Sequence, residues 1–479
     1  TINGMIGFLQ NLNQNVDDII NIESWMLEST DGLTKENKGM LSIDILKLYL
    51  VEYQNKWEDL LLSLAPKQYN SKESILNQLD ILSKKDNPVS TLIRIVSTNT
   101  KLNDAFLLGE AYNIGLNANE IKTHFGNITH FFSSYHKIAE QDSILSSGAS
   151  AVGLNINNDV KIMEVLGLDI KNIQTKIIEF GTNNTQSVEN KIAYALNRGK
   201  EQDDPFIVFV NDIKKLPPEL EKYYAKLHLY AWNLVESHGV SLLNTAWFNE
   251  VYTPFINDVA PFYPFNDEST QQLSIDSFKE FFGRNGTINR FYDKYLNSVL
   301  VKKTNTYSLN TQSDVKINFS KNFLDFMRET KNLSYLMLNS NDNIRGNFTL
   351  QSLDLSADFS SIELQYNSHN MKYDHTLNSA LQIIGEQFNN NTNLNLTAFD
   401  YHNLNLSHHK MYIGEWAWYR FLKENQNNGA YSVIFNNNKK LYFDFKLING
   451  ASETHQILNA LPQIKIVERI TIGGNNNGR

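Results

Sequence analysis

The sequence predicts an α+β protein of several domains, in which all-helical domains are followed by a C-terminal antiparallel β-sandwich. Three observations predict this architecture. In the first two thirds of the chain, apolar residues recur at three- and four-residue steps, as on one face of a helix. After about Asn341 the apolar period changes to two, as in a half-buried strand. The chain has 479 residues, which at roughly 150 residues per domain is enough for about three units.

The helical signal is strongest at residues 45–64, where apolar and aromatic side chains share one helical face. These residues are Leu46, Tyr49, Leu50, Tyr53, Trp57, Leu60, Leu61 and Leu64. Further helical periodicity covers residues 71–83, 89–96, 219–236 and 288–296. Pro and Gly lie mostly between these segments, and the step Asp203-Asp204-Pro205 marks a boundary. We therefore expect one helical domain at residues 1–204 and a second at residues 205–340.

Strand periodicity dominates the remainder. In residues 441–447, four apolar side chains alternate with Tyr442, Asp444 and Lys446. Residues 431–435 alternate in the same way, and the Asn-rich linker at residues 436–440 has the size and chemistry of a hairpin loop. Residues 362–366 and 394–396 add further strands. We expect the sandwich at residues 341–472, each sheet solvated on one face, and a flexible tail at residues 473–479.

Composition excludes several classes of protein. The formal charge is −9 and the isoelectric point is near 5.7, whereas a nucleic-acid surface needs clustered Lys and Arg. The chain has no cysteine, which excludes disulfides, thiolate catalysis and Cys-type zinc sites. No apolar run approaches the roughly 20 residues that span a bilayer, and no signal-peptide pattern follows Thr1. For an export-related protein, we expect the membrane anchor to lie outside this segment.

The usual catalytic motifs are missing from the sequence. His124, His130 and His136 are six residues apart, which turns about 240 degrees per step on a helix, so their rings cannot converge on one metal. The adjacent His408 and His409 would face opposite sides of a strand. No zinc-binding His-Glu-x-x-His helix, phosphate loop or nucleophile elbow occurs. We predict no catalytic, cofactor-binding or metal-binding residue, and a protein that is not an enzyme.

An aromatic block occupies residues 262–296. Its turn, Gly283-Arg284-Asn285-Gly286, separates the end of an aromatic helix from a new amphipathic helix. Because the block contains no reactive group, we interpret it as the core of a helical hairpin. The residues with structural roles are Pro264, Phe265, Phe282, Gly283, Gly286 and Phe291.

Residues 414–422 read as a turn into a short helix that places Trp416, Tyr419 and Arg420 side by side. Two interpretations stay open. Either the helix packs onto the sandwich, or its surface binds a partner, since Trp, Tyr and Arg dominate the hot spots of interfaces.

Together with residues 48–102, these blocks resemble the IcmF/TssM family of type VI secretion proteins. Tyr49, Tyr53 and Trp57, followed by Asn87-Pro88, resemble the family's Leu-Tyr, Asp-Tyr, Trp and Ser-Pro pattern. The aromatic block resembles its Arg-Tyr-Pro-Phe and Phe-Phe-Gly elements, residues 319–338 resemble the helix before its terminal sandwich, and residues 414–422 resemble its Gly-Pro-Trp-Ala. The blocks occur in the family's order. The usual Asp, Ser, Arg and Pro are replaced by Glu52, Asn87, Phe262 and Glu415, which indicates a divergent member.

The resemblance implies a structural scaffold of the type VI secretion membrane complex, which spans the periplasm and is anchored in the inner membrane by a region upstream of this segment. It implies contact with an outer-membrane lipoprotein of the TssJ type through the C-terminal β domain. A DotU/TssL-like inner-membrane protein and self-association into a ring are the other implied partners.

Three alternatives stay open. The first is an IcmF protein of a type IVB secretion system, and the second is a periplasmic glycan hydrolase. The pairs Asp17-Asp18 and Asp203-Asp204 are adjacent in sequence, which does not supply the separation that glycan cleavage needs across a cleft. The third is a carbohydrate-binding β module on a helical stalk.

The contact surface is predicted on the turns of the sandwich. Residues 341–479 carry 12 acidic and 11 basic residues, so a contact there would depend on apolar and hydrogen-bonding groups rather than on net charge. Turns are the natural contact sites because the strands are occupied by the core and the ladder. The candidate contact residues are Asn367, His369, Asn436, Asn437, Asn438 and Lys439, with Trp416 and Arg420 on the short helix. We further expect removal of residues 341–479 to abolish this contact and to leave the helical part folded.

Overall fold

The structure is a computed structural model that contains two compact units. It describes residues 1–27, 35–68, 71–146, 161–182, 187–197, 201–303, 307–311, 317–376, 379–384, 388–403, 405–427, 430–436 and 440–472. The first unit comprises Thr1–Thr185 and Gly199–Glu236, and the second comprises Gln186–Arg198 and Ser237–Arg479. No helix in the described ranges combines the length and apolar character that crossing a membrane requires.

All the regular secondary structure in the described residues of the first unit is helical. Its helices are α1 (Ile2–Leu27), α2 (Lys35–Leu62), α3 (Lys72–Ser83), α4 (Pro88–Thr100), α5 (Ala105–Asn113), α6 (Ala118–Phe131), α7 (Ser133–Ser146), α8 (Ile162–Gly181), α10 (Pro205–Ile213) and the first part of α11 (Pro218–Trp247). The segments predicted as helical at residues 45–64, 71–83, 89–96 and 219–236 all coincide with helices.

Two helices of this unit begin at an Asn-Pro or Asp-Pro step. The Asn87 side chain accepts hydrogen bonds from the amides of Val89 and Ser90, both at 2.9 Å. Asp204 accepts from the amide of Phe206 at 2.9 Å in the same way. A side-chain oxygen before a helix satisfies amides that have no partner inside it, and Pro at the first position loses nothing there. The Asp203-Asp204-Pro205 step is therefore a helix start.

Aromatic rings join α2 to α1 and α4. Tyr49 stacks on Phe8 of α1 with ring centroids 4.2 Å apart, and Tyr53 donates its hydroxyl proton to the carbonyl oxygen of Asn99 at 2.8 Å. Trp57 continues the row, 6.3 Å from Tyr53. The residues that carry the resemblance at this position therefore pack the first unit. Leu60, which was expected on the buried face, is 42% exposed.

The second unit adds further helices, a two-stranded hairpin and the two sheets of a sandwich. Its helices are α9 (Val188–Asn197), the end of α11, a π-helical turn (Phe248–Tyr252), α12 (Thr253–Asp258), α13 (Ile275–Phe282), α14 (Thr287–Phe291), a second π-helical turn (Tyr292–Leu296), α15 (Lys321–Met337), α16 (Ala417–Asn425), α17 (Ala451–Ala460) and a 3₁₀ turn (Leu461–Gln463). The helix predicted at residues 288–296 is α14 and the π-helical turn that continues it. A short hairpin, β1 (Leu300–Lys302) and β2 (Tyr307–Leu309), was not predicted.

The antiparallel sandwich predicted at the C-terminal end is confirmed. Its strands are β3 (Phe348–Leu355), β4 (Phe359–Tyr366), β5 (His369–Tyr373), β6 (Ala380–Ile383), β7 (Asn393–Asp400), β8 (Ser407–Ile413), β9 (Gln426–Asn427), β10 (Ala430–Asn436) and β11 (Leu441–Asn449). One sheet has the order β6-β3-β11-β10-β9 and the other has the order β5-β4-β7-β8. Val433 lies opposite Phe443, and Leu364 lies opposite Leu396, so the predicted inward-facing positions pair with one another.

One hydrophobic core connects the helices of the second unit with its sandwich. The ring of Trp247 lies 5.2 Å from that of Phe291 and 5.1 Å from that of Phe323. Its indole N–H donates to the carbonyl oxygen of Val467, beyond the last strand, at 2.7 Å. The chain that leaves the sandwich therefore returns to the helical part of the same unit.

Candidate functional site

The aromatic block forms the predicted helical hairpin, with α13 and α14 on either side of the turn at residues 283–286. Phe282 stacks on Phe265 at 5.6 Å between ring centroids and lies 4.8 Å from Phe278. The peptide bond between Tyr263 and Pro264 is cis. These residues are packing groups of the second unit.

Both glycines of this turn are required by close approach of the backbone. A Cβ on Gly286 would lie 2.8 Å from the Gly283 nitrogen and 2.8 Å from the Phe281 oxygen, and a Cβ on Gly283 would collide with the Lys279 oxygen. Since no real Cβ tolerates such contacts with backbone atoms, only glycine fits at either position. The buried side chain of Asn289 donates to the Gly283 oxygen at 2.7 Å and holds the turn against α14.

The residues that precede α16 join the aromatic block to the sandwich. Trp416 is fully buried, and its indole N–H donates to the carbonyl oxygen of Leu273 at 2.6 Å. Gln272 donates from Nε2 to the oxygen of Ile413 at 2.7 Å and accepts from the Trp416 amide at 3.1 Å. The Glu415 carboxylate accepts from the Ile275 amide. We name this connection between residues 263–275 and 413–423 the motif joint.

Two charged side chains, Arg420 and Lys423, make further contacts across the motif joint near its surface. The Arg420 guanidinium lies 4.1 Å from the centroid of the Tyr263 ring, a cation–π contact. Lys423 forms an ion pair with Asp267 at 2.5 Å. Burial raises the pKa of the Tyr263 phenol, and Arg420 opposes that rise. Arg420 is thus engaged inside the second unit.

Helix α16 therefore packs onto the sandwich, which is the first of the two interpretations given above for residues 414–422. Trp416 offers no exposed area to a partner, because its ring lies in the core beside Phe278, 5.6 Å away. Arg420 stays half-buried. Trp416 is left out of the contact surface for this reason.

The two predicted contact loops lie at opposite ends of the sandwich. Asn367 and His369 are exposed in the turn between β4 and β5, next to the start of β7, where the Asn367 amide donates to the Asn393 oxygen at 3.4 Å. Asn436 ends β10 at the other end, where the neighbouring Phe435 ring lies 5.4 Å from Phe359 at the start of β4. One flat partner surface cannot cover both loops.

Three of the predicted contact residues, Asn437, Asn438 and Lys439, lie outside the described residues, as does the predicted tail at residues 473–479. Asn436 is half-buried and pairs in register with Leu441. Lys440, on the far side of the loop, is exposed at a φ of 49°.

Two apolar residues near Asn436 were missed by the sequence analysis. Tyr401 is 63% exposed and Leu406 is 45% exposed in the turn between β7 and β8. The Tyr401 amide donates to the Asp358 oxygen at 2.7 Å, which places this turn beside the start of β4 and thus at the Asn436 end. The sequence does contain a signal for them, because a tyrosine and a leucine stand out in an otherwise polar turn. We name Tyr401, Leu406, Asn436 and Lys440 the distal end.

The histidines are separated. His136 is buried and hydrogen-bonded to the Thr100 hydroxyl at 2.9 Å, and burial lowers the pKa of its imidazole. His124 is half-buried and His130 is exposed. Within the described ranges, no three His, Asp or Glu side chains are placed to hold a metal ion.

The carboxylates singled out in the sequence have local roles. Asp17 forms an ion pair with Lys38 at 3.0 Å, and Asp204 caps α10. A different carboxyl group has a perturbed pKa: burial and a hydrogen bond with Asp212 raise the pKa of Asp169 to about 6. Asp169 is only 6% exposed on α8, so it faces the inside of the helical unit rather than a substrate cleft.

Three family models match the chain in order. One is described as "IcmF-related: Intracellular multiplication and human macrophage-killing" and matches residues 1–101. The "Type VI secretion protein IcmF helical domain" matches residues 239–343, and the "Type VI secretion protein IcmF C2-like domain" matches residues 348–447. The helical match contains the aromatic block, and the C2-like match contains both sheets of the sandwich up to Leu447.

Similar proteins and structures agree with these matches. The "Type VI secretion system component TssM1" of Pseudomonas aeruginosa is 19% identical in an alignment of 431 residues that covers 84% of this chain and 37% of that protein. The chain thus spans well under half of this relative's length. A chain of a "Type VI secretion system membrane core complex" has a TM-score of 0.66 at 14% identity, over 95% of this chain and 87% of that one. A chain of a "Type VI membrane complex" has the same score and identity, over 95% and 85%.

Proposed function

Because the chain belongs to the IcmF/TssM family of type VI secretion proteins, we propose that it is a structural component of a type VI secretion membrane complex. The observation that carries the proposal is the order of the three matches along one chain, from the first unit to the sandwich. The similarity to chains of solved membrane complexes over 95% of the sequence supports the same fold. The helical and C2-like family models and the Pseudomonas aeruginosa relative are all described as type VI secretion proteins, which favours type VI over type IVB.

In this proposal the described residues are the periplasmic part of a scaffold, not an enzyme. A region outside this sequence would anchor it in the inner membrane, beside a DotU/TssL-like protein. Copies of the chain would associate into a ring. The sandwich would contact an outer-membrane lipoprotein of the TssJ type.

We assign the lipoprotein contact to the distal end of the sandwich. Its exposed Tyr401 and Leu406 supply apolar area, and Asn436 and Lys440 supply hydrogen-bonding groups around it. A central apolar contact with a polar rim is the usual arrangement of an interface. The opposite end presents Asn367 and His369, which offer hydrogen bonds with less apolar area.

Substitution of both apolar residues tests this assignment. Tyr401→Ser with Leu406→Ser removes two exposed side chains, and the interface residues that matter for binding cost more than about 1 kcal/mol each when they are truncated. We expect at least tenfold weaker capture of an outer-membrane lipoprotein from solubilised envelopes, measured with immobilised chain. Asn367→Ser with His369→Ser is the matched control at the other end and should change capture less than twofold. If the Asn367 and His369 variant lost capture and the Tyr401 and Leu406 variant kept it, the contact would lie at the β4–β5 turn. If both variants kept full capture, the contact would lie at neither end of the sandwich.

The alternative functions have less support. A glycan hydrolase needs two carboxyl groups across a cleft, whereas the carboxyl group with a raised pKa, Asp169, is buried beside α10. A carbohydrate-binding face needs several exposed rings on the sandwich. In the described part of the two sheets and their turns, only one aromatic ring, that of Tyr401, is strongly exposed.

A further inference from the structure

Strand β8 is an edge strand of the sandwich, paired with β7 along one side only. Just before β8, the Leu406 oxygen accepts from the Asp400 amide at 3.0 Å. Just after it, the Gly414 amide donates to the Thr392 oxygen at 2.8 Å. Because the hydrogen-bonding direction of a strand alternates from residue to residue, the even-numbered residues of β8 point their backbone groups at β7. The odd-numbered residues point theirs away from the sheet, and these are Ser407, His409, Met411 and Ile413.

Two of the outward backbone positions are unpaired. Within the described ranges, the outward amide and carbonyl groups of His409 and Met411 have no hydrogen-bond partner. The outward carbonyl of Ile413 accepts from Nε2 of Gln272 at 2.7 Å, so the motif joint ends the free edge there. Such an edge offers backbone donors and acceptors about 6.8 Å apart, at every second residue, which another extended strand satisfies in register.

The other edges of the two sheets are shorter or closed. β9 has two residues and β6 has four. β5 has five residues, and its Lys372 oxygen accepts from the Ser379 hydroxyl. β8 has seven residues. Among the described strands, β8 is therefore the edge with the most room for an added strand.

The outer face of β8 presents apolar side chains beside this edge. Met411 is 61% exposed and Ile413 is 46% exposed. On the same face, the His409 ring is held by the Thr397 hydroxyl, 3.1 Å from Nδ1, and by the Ser407 hydroxyl, 2.8 Å from Nε2. Because the strand is already ordered, an added strand could cover these side chains with little rearrangement.

The inner face of β8 carries one positive charge. Lys410 is half-buried and takes part in none of the ion pairs that join described residues. The acidic residue of β7 and β8 is Asp400, whose carboxylate accepts from two backbone amides of the following turn, both at 2.8 Å. Lysine on an edge also discourages unwanted pairing, but the exposed Met411 beside it favours contact. A carboxylate opposite Lys410 would stabilise an added strand, as oppositely charged cross-strand pairs do.

We propose that β8 binds an extended acidic and apolar segment of a partner protein, which adds a strand to the edge of the sandwich. Apolar residues of the segment lie beside Met411 and Ile413, and an acidic residue on the other face of the segment lies opposite Lys410. In this mode of recognition, main-chain hydrogen bonds give affinity and alternate side chains give specificity. The proposal rests on the strand and not on the scaffold role, so its failure would leave the lipoprotein contact at the distal end to its own test.

Fluorescence anisotropy of the full 479-residue chain with a fluorescein-labelled heptapeptide of alternating Val and Glu tests the charge of the partner. We expect saturable binding, and at least tenfold weaker binding of the matching Val and Lys peptide. Lys410→Glu should reverse this preference. Lys372→Glu is the matched control, because Lys372 is an exposed lysine at the other edge of the same sheet; it should change either affinity less than twofold. No binding, equal binding of the two peptides, or an equal effect of the control would overturn the proposal.

A second variant tests the backbone hydrogen bonds. Met411→Pro removes an amide hydrogen that points away from β7, so the ladder inside the sandwich keeps its bonds. Binding of the Val and Glu peptide should fall at least tenfold. Met411→Val keeps both the amide and an apolar side chain, and should change binding less than twofold. Unchanged binding by Met411→Pro would show that the peptide does not add as a strand.

A readout in the unsubstituted chain guards against variants that fail to fold. With ¹⁵N-methionine labelling, and Met411→Val to assign the signal, the Met411 amide should exchange rapidly with water in the free chain. Saturation with the Val and Glu peptide should slow that exchange at least tenfold, and unchanged exchange would overturn the proposal. Sedimentation of the free chain tests the other occupant. A dimer that Met411→Pro abolishes, together with no peptide binding, would assign the edge to a second copy of this chain and overturn the proposal.

Discussion

Asp169 keeps its proton more tightly in the folded protein than in the unfolded chain. Burial and the hydrogen bond with Asp212 raise its pKa from 3.8 to about 6, while Lys215 opposes the rise. Lys215 is paired with Asp212 at 2.5 Å, so it is shared between the two carboxyl groups. Since the folded pKa exceeds the unfolded one, this residue's contribution to stability is fully present below pH 3.8 and is lost as pH rises through about 6.

Asp169→Asn should remove this dependence. The amide is neutral at every pH, so we expect the variant to be more stable than the unsubstituted chain at pH 7.5, on the order of 1 kcal/mol, and nearly equal at pH 4. Calorimetric melting at both pH values measures the difference. Asp59→Asn, at an exposed position on α2, is the control and should change neither value. Equal destabilisation of Asp169→Asn at both pH values would mean that the carboxylate itself is required.

At the scale of the helix, the replacement of the family's Ser by Asn87 can be explained by helix capping. Asn87 stands where the family pattern has Ser, and its side chain caps α4 while it donates to the Lys84 oxygen at 3.0 Å. Serine and asparagine are both good N-cap residues, so the replacement preserves the cap. The following Pro88 occupies the first helical position, where its missing N–H is not needed.

Asn87→Ala should therefore destabilise the first unit by about 1 kcal/mol, with faster amide exchange in the first turn of α4. Asn87→Ser introduces the residue of the family pattern and should reduce stability less, because the serine hydroxyl can still accept a hydrogen bond from the helix amides. Hydrogen exchange followed by mass spectrometry on residues 86–94 measures both. Equal losses in the two variants would mean that the bond to Lys84, rather than the cap, stabilises this helix start.

The elements that could be predicted are those with a sustained period. The apolar stripe at residues 45–64 lies almost wholly within α2, and the alternation at residues 431–435 and 441–447 became β10 and β11. The hairpin of β1 and β2 has three residues per strand, too few to show a period. The motif joint was beyond prediction for another reason. The hydrogen bonds of Gln272 and Trp416 connect residues more than 140 positions apart, and no local pattern specifies such a partner.

At the scale of the molecule, the change of period near Asn341 is not a boundary in the core. The helical hairpin, α15 and the sandwich share one hydrophobic core, and the segment after the last strand returns to Trp247 and Asn244. The Ser320 amide also donates to the Ile470 oxygen at 2.8 Å. The division into domains at residues 205 and 341 stays a prediction. A partner bound to the sandwich would act on a unit that also contains the aromatic hairpin.

Removal of residues 341–479 is consequently expected to unfold the rest of the second unit, which revises the expectation from periodicity. The truncated chain would expose Tyr263 and Phe278, which are at most 3% exposed in the whole protein and pack on Tyr419 and Trp416 of the removed segment. Trp247 would also lose the Val467 oxygen that its indole N–H binds. Burial of apolar surface stabilises by roughly 25 cal/mol per Å², so the loss of these contacts should destabilise the packed state of the remaining helices. Hydrogen exchange should show lost protection at residues 248–296, while α3 and α4 of the first unit stay protected. Retained protection at residues 248–296 would show that the helical part folds without the sandwich, and that its core is sufficient alone.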